Sequence, residues 1–332
     1  MAFLLGRGSA IEWLRMCESP ASYTRYAVPY AGLEASRTRI KRHVQALEGL
    51  TMPYQLIVWT RGDRRRTAIT QSHVLTTQDG KYPAFRVRRG LFVSTPEFVF
   101  VQMGTLLDAE QLLFLGCELC GRYGIIDGVF LREQTCTAHM LYECAAALKG
   151  VRGRRNALNV APRVLGGGAS PMEIALALML HLPRTQGGYG LEAPELNHVL
   201  PVDGTARALW GKDHITPDML WNRGHVVIEY DSDLHHSADE RIANDARRRD
   251  VFVELGYRVV TVTTAHMRSF HEIERIAGIV AGCLGTSIET GDQSELDARA
   301  SLQARMRRLA AHPEDLTALE SVERKMSASA DF

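Results

Sequence analysis

Residues 170–285 alternate two hydrophobic periods, and their order constrains the fold more than any other feature of the chain. Ser170-Pro171-Met-Glu173 reads as a helix start: an N-cap serine, proline in the first turn, and a glutamate three residues after the serine. The apolar run Ile174 to Leu182 carries that helix on. His214 to Trp221 and Val226 to Tyr230 read as two strands joined by a tight turn at Asn222-Arg-Gly224. Ala238 to Leu255 is a charged amphipathic helix that Gly256 stops. Tyr257 to Thr263 is a β-branched strand, and 270–284 a final helix. This succession gives an α/β class for the region.

The preceding half has a different texture. Short alternating or β-branched runs at 55–60, 67–70, 84–87 and 91–94 are separated by the turn signals Gly62-Asp63 and Asp79-Gly80, which predicts a small antiparallel sheet. Helices are expected over 10–17, 33–49, 107–121 and 136–149, with another opening at Ser94-Thr-Pro-Glu97. The reading is therefore an α+β domain over 1–150 with a nucleic-acid-binding or regulatory role, and a linker over 151–169 marked by Gly166-Gly-Gly168. An α/β domain over 170–285 and a polar, partly helical tail over 286–332 follow. Among the first hundred residues, fifteen Lys and Arg stand against seven Asp and Glu, although the whole chain carries a net charge of only +1. A basic half of this kind suits a phosphate backbone, and equally an ordinary solvated surface. Arg64, Arg65 and Arg66 are the densest cluster in it.

The candidate chemistry lies in the α/β half. Glu229 and Asp231 are two apart on one strand and so share a face, while Asp218 lies on the strand before it. Three converging carboxylates raise one another's pKa values, and a cation between them relieves the repulsion. Oxygen-only ligation suits Mg²⁺ or Mn²⁺, which activates water and neutralises phosphoryl charge. Acids at a strand end are often simply solvated, but the apolar triplet Val226-Val-Ile228 before Glu229 is the pattern of a covered strand.

Pro217-Asp218, Glu229-Tyr-Asp231, His235, Asp245-x-x-Arg248 and Gly256-Tyr-Arg-Val-Val-Thr261, in that order, resemble an endonuclease-like family related to very-short-patch-repair endonucleases, within the PD-(D/E)XK superfamily. The resemblance implies a restriction-endonuclease-like mixed sheet flanked by helices and Mg²⁺-dependent cleavage of DNA. It also implies metal ligation by Asp218 and Glu229, with Glu173 orienting the site or adding a ligand. Asp231 stands where the wider superfamily often has lysine, and Ser232 where the nearer family often has glycine. His235 would then be a general acid or base or a phosphate contact, against a plain exposed loop residue. Arg241, Arg248 and Arg249 share a helix face, where Arg248 would grip phosphate with Asp245 orienting it, or all would form a salt-bridge ladder. The N-terminal half resembles, in its strand texture and the segment Phe92-Val-Ser-Thr-Pro96, the sensor or DNA-binding portions of antitoxin-like regulators of abortive-infection systems.

The expected function is a metal-dependent endonuclease acting on DNA, in a defence or toxin–antitoxin setting. The alternatives are a non-catalytic DNA-binding regulator and an interaction protein that needs an operon partner. Cys117-Glu-Leu-Cys120 has zinc-knuckle spacing but lacks a second such pair and lies in an apolar helical pattern, so buried thiols are expected. The six cysteines do not suggest a disulfide scaffold, and no apolar run reaches the roughly 18 residues of a membrane span. With too short an apolar start for a secretory signal, the expected location is cytoplasmic.

Overall fold

The computed structural model describes residues 2–231, 238–289 and 291–317. It is an α/β protein with mixed sheets. The chain forms two compact units: one comprises residues up to Gly166 and the described residues from His312 on, the other Gly167–Ala311. No described helix is long and apolar enough to cross a membrane.

The first unit holds β1 (Phe3–Leu5), α1 (Arg7–Met16), β2 (Arg25–Pro29), α2 (Arg37–Ile40), β3 (Tyr54–Val58) and β4 (Thr70–Val74). It continues with β5 (Lys81–Arg88), β6 (Leu91–Ser94), α3 (Pro96–Met103), α4 (Ala109–Leu119), β7 (Tyr123–Ile125), β8 (Val129–Leu131), α5 (Ala138–Ala147) and α6 (Arg154–Val160). Its main sheet runs β2-β5-β6-β1-β3-β4 and is mixed, not the antiparallel sheet expected. β1 pairs parallel to β6 and antiparallel to β3, and β3 pairs parallel to β4. One cause is the opening Phe3-Leu-Leu5, fully buried and too short to show a period, which wedges between β6 and β3. The helix expected over 33–49 is a single turn, Arg37–Ile40, followed by a 3₁₀ stretch over Lys41–Leu47. All eight residues of α3 are buried, which makes it the central helix of the unit.

The stretch 151–169 is more ordered than its expected linker character. α6 occupies its middle with Ala157 and Val160 buried, and a 3₁₀ turn follows at Ala161–Arg163. Only the glycines mark the break. Gly167 has φ +89°, and a Cβ there would lie 2.7 Å from the Leu196 carbonyl oxygen, so no other residue fits without a shift.

The second unit holds α7 (Pro171–His181), β9 (Glu195–Leu196), β10 (Leu200–Pro201), α8 (Gly204–Trp210), β11 (His214–Ile215), β12 (Met219–Trp221) and β13 (Val226–Asp231). α9 (Ala238–Glu254), β14 (Arg258–Thr263), α10 (Thr264–Arg268), α11 (Phe270–Cys283) and α12 (Gln293–Ala311) complete it. Its sheet runs β14-β13-β12-β9, with β13 and β14 parallel and the other pairs antiparallel. The run read as one strand over 214–221 is two pieces. β11 pairs with β10 in a separate ribbon, and Pro217, which has no N–H for a ladder, stands at the break. The turn after β12 is a 3₁₀ segment, Asn222–Gly224, closed by His225 at φ +44°.

Leu220 and Val227 enter one core cluster with Ile215, Val251 and Phe252, so this face of the sheet packs under α9. α7 is buried all round from Glu173 to Leu180. α12 packs against it with Leu302 and Met306 fully buried. The segment expected as a polar tail therefore supplies a core helix, because Leu302, Met306 and Leu309 recur at helical spacing among otherwise polar residues.

Candidate active site

The two-residue alternation of β13 puts Glu229 on the face of Val227, under α9. Asp218, two residues before Leu220, comes to the same place. The backbone confirms it: the Tyr230 N–H donates to Asp218 Oδ2 at 2.6 Å, and the Asp218 N–H donates to Glu229 Oε1 at 3.4 Å. The hairpin therefore carries both carboxylates to one spot.

The third carboxylate there is Glu173. Ser170 caps α7 by accepting from the Glu173 N–H at 3.2 Å, and Pro171 starts the first turn as the sequence predicts. Glu173 Oε2 in turn accepts from the Ala169 N–H at 3.0 Å and from Asn197 Nδ2 at 2.8 Å. The side chain is buried, at 6% exposure, so the residue does more than cap a helix end in water.

The electrostatics follow from this crowding. Burial, then the charges of Glu173 and Glu229, push the Asp218 carboxyl up to about 8, against the Tyr230 N–H and Arg248, which favour its charged form. Burial also raises Glu173, with the Glu229 charge adding to it while its three hydrogen bonds oppose. Glu229 is raised chiefly by burial, with Asp245 adding and Arg248 opposing.

Arg248 is the cation of the cluster. Its Nε donates to Glu229 Oε2, its Nη2 donates to Glu229 Oε1 at 3.1 Å and to the Thr216 carbonyl, and its guanidinium lies 5.4 Å from the Phe252 ring centre. Burial alone would lower its pKa, but the ion pair with Glu229 outweighs that and raises it. The expected partner Asp245 is exposed and acts on Arg248 only through its charge; Glu229 and Thr216 orient the guanidinium.

The expected trio was Asp218, Glu229 and Asp231. The carboxylates whose charges act on Asp218 are Glu173, the residue that the resemblance implied, and Glu229, while Asp231 ends β13 opposite Thr263 in an exposed position. Arg249 is exposed on α9. His235 and the side chain of Arg241 lie outside the described residues. Arg64, Arg65 and Arg66 are exposed in the other unit, where Arg65 Nη1 donates to the carbonyls of Gly62 and Arg64, each at 2.8 Å. Asn197 was not singled out from the sequence. Its φ of +49° suits asparagine, but nothing in Glu195-Leu-Asn197 signals it.

The donor set is all oxygen, formally three negative charges to one positive, and partly dehydrated, which suits a hard divalent cation. Among the described residues no three such side chains stand in a ready-made metal-holding arrangement. The geometry gives the reason: both Glu229 oxygens are turned onto Arg248, and Glu173 Oε2 onto Asn197 and Ala169. Ligation requires Arg248 to release Glu229. The buried thiols expected at Cys117 and Cys120 are found there, and Cys136 is buried as well. The chain matches no protein-family model, no curated protein and no solved structure, so this site is read from its own geometry.

Proposed function

We propose that the unit Gly167–Ala311 is a restriction-endonuclease-like domain that hydrolyses phosphodiester bonds in DNA with the help of Mg²⁺ or Mn²⁺. One observation carries this reading. Three elements distant in sequence, the start of α7, the residue before β12 and the end of β13, deliver Glu173, Asp218 and Glu229 to one dehydrated spot. There the charges of Glu173 and Glu229 resist the ionisation of Asp218, and that of Glu229 resists the ionisation of Glu173. A fold gains nothing from such crowding by itself, since three solvated acids would cost less. The succession of helix, hairpin, helix and parallel strand, with the acids on the hairpin, also agrees with what the resemblance implies.

A divalent ion here would lower the pKa of a water and neutralise charge on a phosphoryl oxygen. Asp218 and Glu229 would hold it, with Glu173 completing the oxygen set. Arg248, freed from Glu229, carries a planar guanidinium suited to two oxygens of one phosphate, and so supplies from α9 the positive charge that Asp231 lacks. Asn197 and the Tyr230 N–H hold Glu173 and Asp218 in place.

Incubation of the full chain with supercoiled plasmid tests the reading. Nicking that requires Mg²⁺ or Mn²⁺ and disappears in Asp218→Ala and Glu229→Gln supports it; equal nicking by both variants removes it.

The grip of Arg248 on both oxygens of Glu229 favours a second reading, a DNA-binding regulator whose nuclease site is neutralised internally. It predicts salt-sensitive DNA binding, no cleavage with any divalent ion, and unchanged binding in Glu229→Gln.

A further inference from the structure

The first unit contains a cavity of about 700 Å³ between the β2–β5 edge of its sheet and α5. That volume falls in the range of small-molecule sites. Pro83, Met140, Ala147 and Leu148 give it an apolar wall. Two further lining residues, Thr95 and Glu97, carry buried oxygens with no hydrogen-bond partner.

Both are anomalous for their positions. Thr95 is the N-cap of α3, where a threonine hydroxyl ordinarily accepts from the helix's own N–H groups. Here it makes no such bond; the Phe98 and Val99 N–H groups donate to the Thr95 backbone carbonyl instead, at 3.1 and 2.9 Å. Thr95 is 1% exposed, and its Oγ1 has no partner. Glu97 is 8% exposed. Its Oε1 accepts from Arg25 Nη1 at 2.5 Å, but its Oε2 is buried and unpartnered. Leaving buried polar atoms unpaired is unfavourable, and two beside one cavity require an explanation.

The missing partner has a definite chemistry. An ionised carboxylate only accepts, so Glu97 Oε2 lacks a donor, and the Thr95 hydroxyl, two residues earlier in the chain, has acceptor lone pairs that no donor meets. A primary ammonium offers three donors from one atom, enough for both oxygens. Arg25 is already engaged by Glu97 and by the Thr135 carbonyl at 3.1 Å, which leaves it poorly placed to receive an anion. Asp79, Glu143 and Lys81 also line the cavity, so that three acids, counting Glu97, stand against two bases, Arg25 and Lys81. We propose that this cavity binds a small primary amine with an apolar body, its ammonium on Glu97 Oε2 and Thr95 Oγ1 and its body against α5. The proposal is independent of the nuclease reading, since every residue it uses belongs to the first unit.

Calorimetric or ligand-observed NMR titration of the full chain with 2-phenylethylamine and 4-phenylbutylamine tests it, with 2-phenylethanol as the uncharged control. The expected result is saturable binding with the amines at least about tenfold tighter than the alcohol. Glu97→Gln should erase that preference. Ala147→Trp, at an exposed position on α5, should fill the cavity and abolish binding while the fold stays intact by circular dichroism. Absence of saturable binding by either amine up to about 10 mM overturns the proposal. So does equal affinity for the alcohol, or undiminished binding in a folded Ala147→Trp variant.

Discussion

Asn197 ties Glu173 to Asp218: its side-chain amide donates to Glu173 Oε2 at 2.8 Å, and its backbone N–H donates to the Asp218 carbonyl at 3.1 Å. Because the residue sits at φ +49°, alanine would add backbone strain to the loss of the amide. Glycine keeps the conformation and removes only the side chain. Asn197→Gly should therefore destabilise the protein by about 1 kcal/mol. It should also weaken Mn²⁺ binding about tenfold, because Glu173 loses a donor that holds it toward the cluster. Urea denaturation and Mn²⁺ titration measure the two effects; a stability loss with unchanged metal affinity would make Asn197 purely structural.

The Arg248–Glu229 pair gives a second prediction. With side chains 24% and 19% exposed, it is shielded enough that removing one partner strands the other. Arg248→Ala should cost about 2 kcal/mol in metal-free buffer, a figure reduced from that of fully buried pairs for residual solvent screening. Mg²⁺ should restore part of that stability by taking the place of the guanidinium beside Glu229. Equal denaturation midpoints for the variant and the parent would show that the pair behaves as a solvated surface contact.

The raised Asp218 carboxyl fixes the sign of a pH effect. Its folded pKa, about 8, lies above the ordinary carboxylate value, so the folded state holds a proton that the unfolded state releases. The stability tied to that proton is fully present below about pH 4 and is lost as pH rises through about 8. Burial raises Glu173 and Glu229 as well, which acts in the same direction. Without divalent ions, thermal stability should fall between about pH 5 and 8.5 more steeply in the parent than in Asp218→Asn. Metal affinity should rise over the same interval, since ligation requires the proton to leave. A parent and variant with parallel pH profiles would contradict the assignment.

Much of the second unit was legible in the sequence because its elements are long and strongly periodic. The cap at Ser170, the helix under Gly256 and the strand ending at Thr263 all lie within a few residues of their expected bounds. Asp218 and Glu229 were legible because a hairpin brings them together whatever surrounds it. For the third carboxylate the strand pattern alone pointed to Asp231, while Glu173 came only from the family resemblance. Strand alternation gives Asp231 the same face as Glu229 but cannot say that the strand ends in solvent there, nor that α7 presents Glu173 beside Asp218. Asn197 left no trace, since its role depends on a backbone angle and a two-residue strand. In the first unit β1 escaped notice because three residues cannot display a period.

The helix α12 makes the same lesson testable. Its exposed residues hide an apolar line at Leu302, Met306 and Leu309, and the helix packs against α7, which carries Glu173. Leu302, fully buried, should cost about 3 kcal/mol on replacement by alanine. A loss below about 0.5 kcal/mol, the scale of surface substitutions, would mean that the segment is the polar tail its composition suggests.

The central claim is that Glu173, Asp218 and Glu229 form a site for one divalent cation. Titration of the full chain with Mn²⁺ at about pH 8, followed by electron paramagnetic resonance of the free ion, tests it most directly. The account predicts one bound ion per chain, lost in Asp218→Asn and in Glu229→Gln while both variants remain folded. Failure of the parent to bind Mn²⁺, or binding that both variants retain, would contradict it.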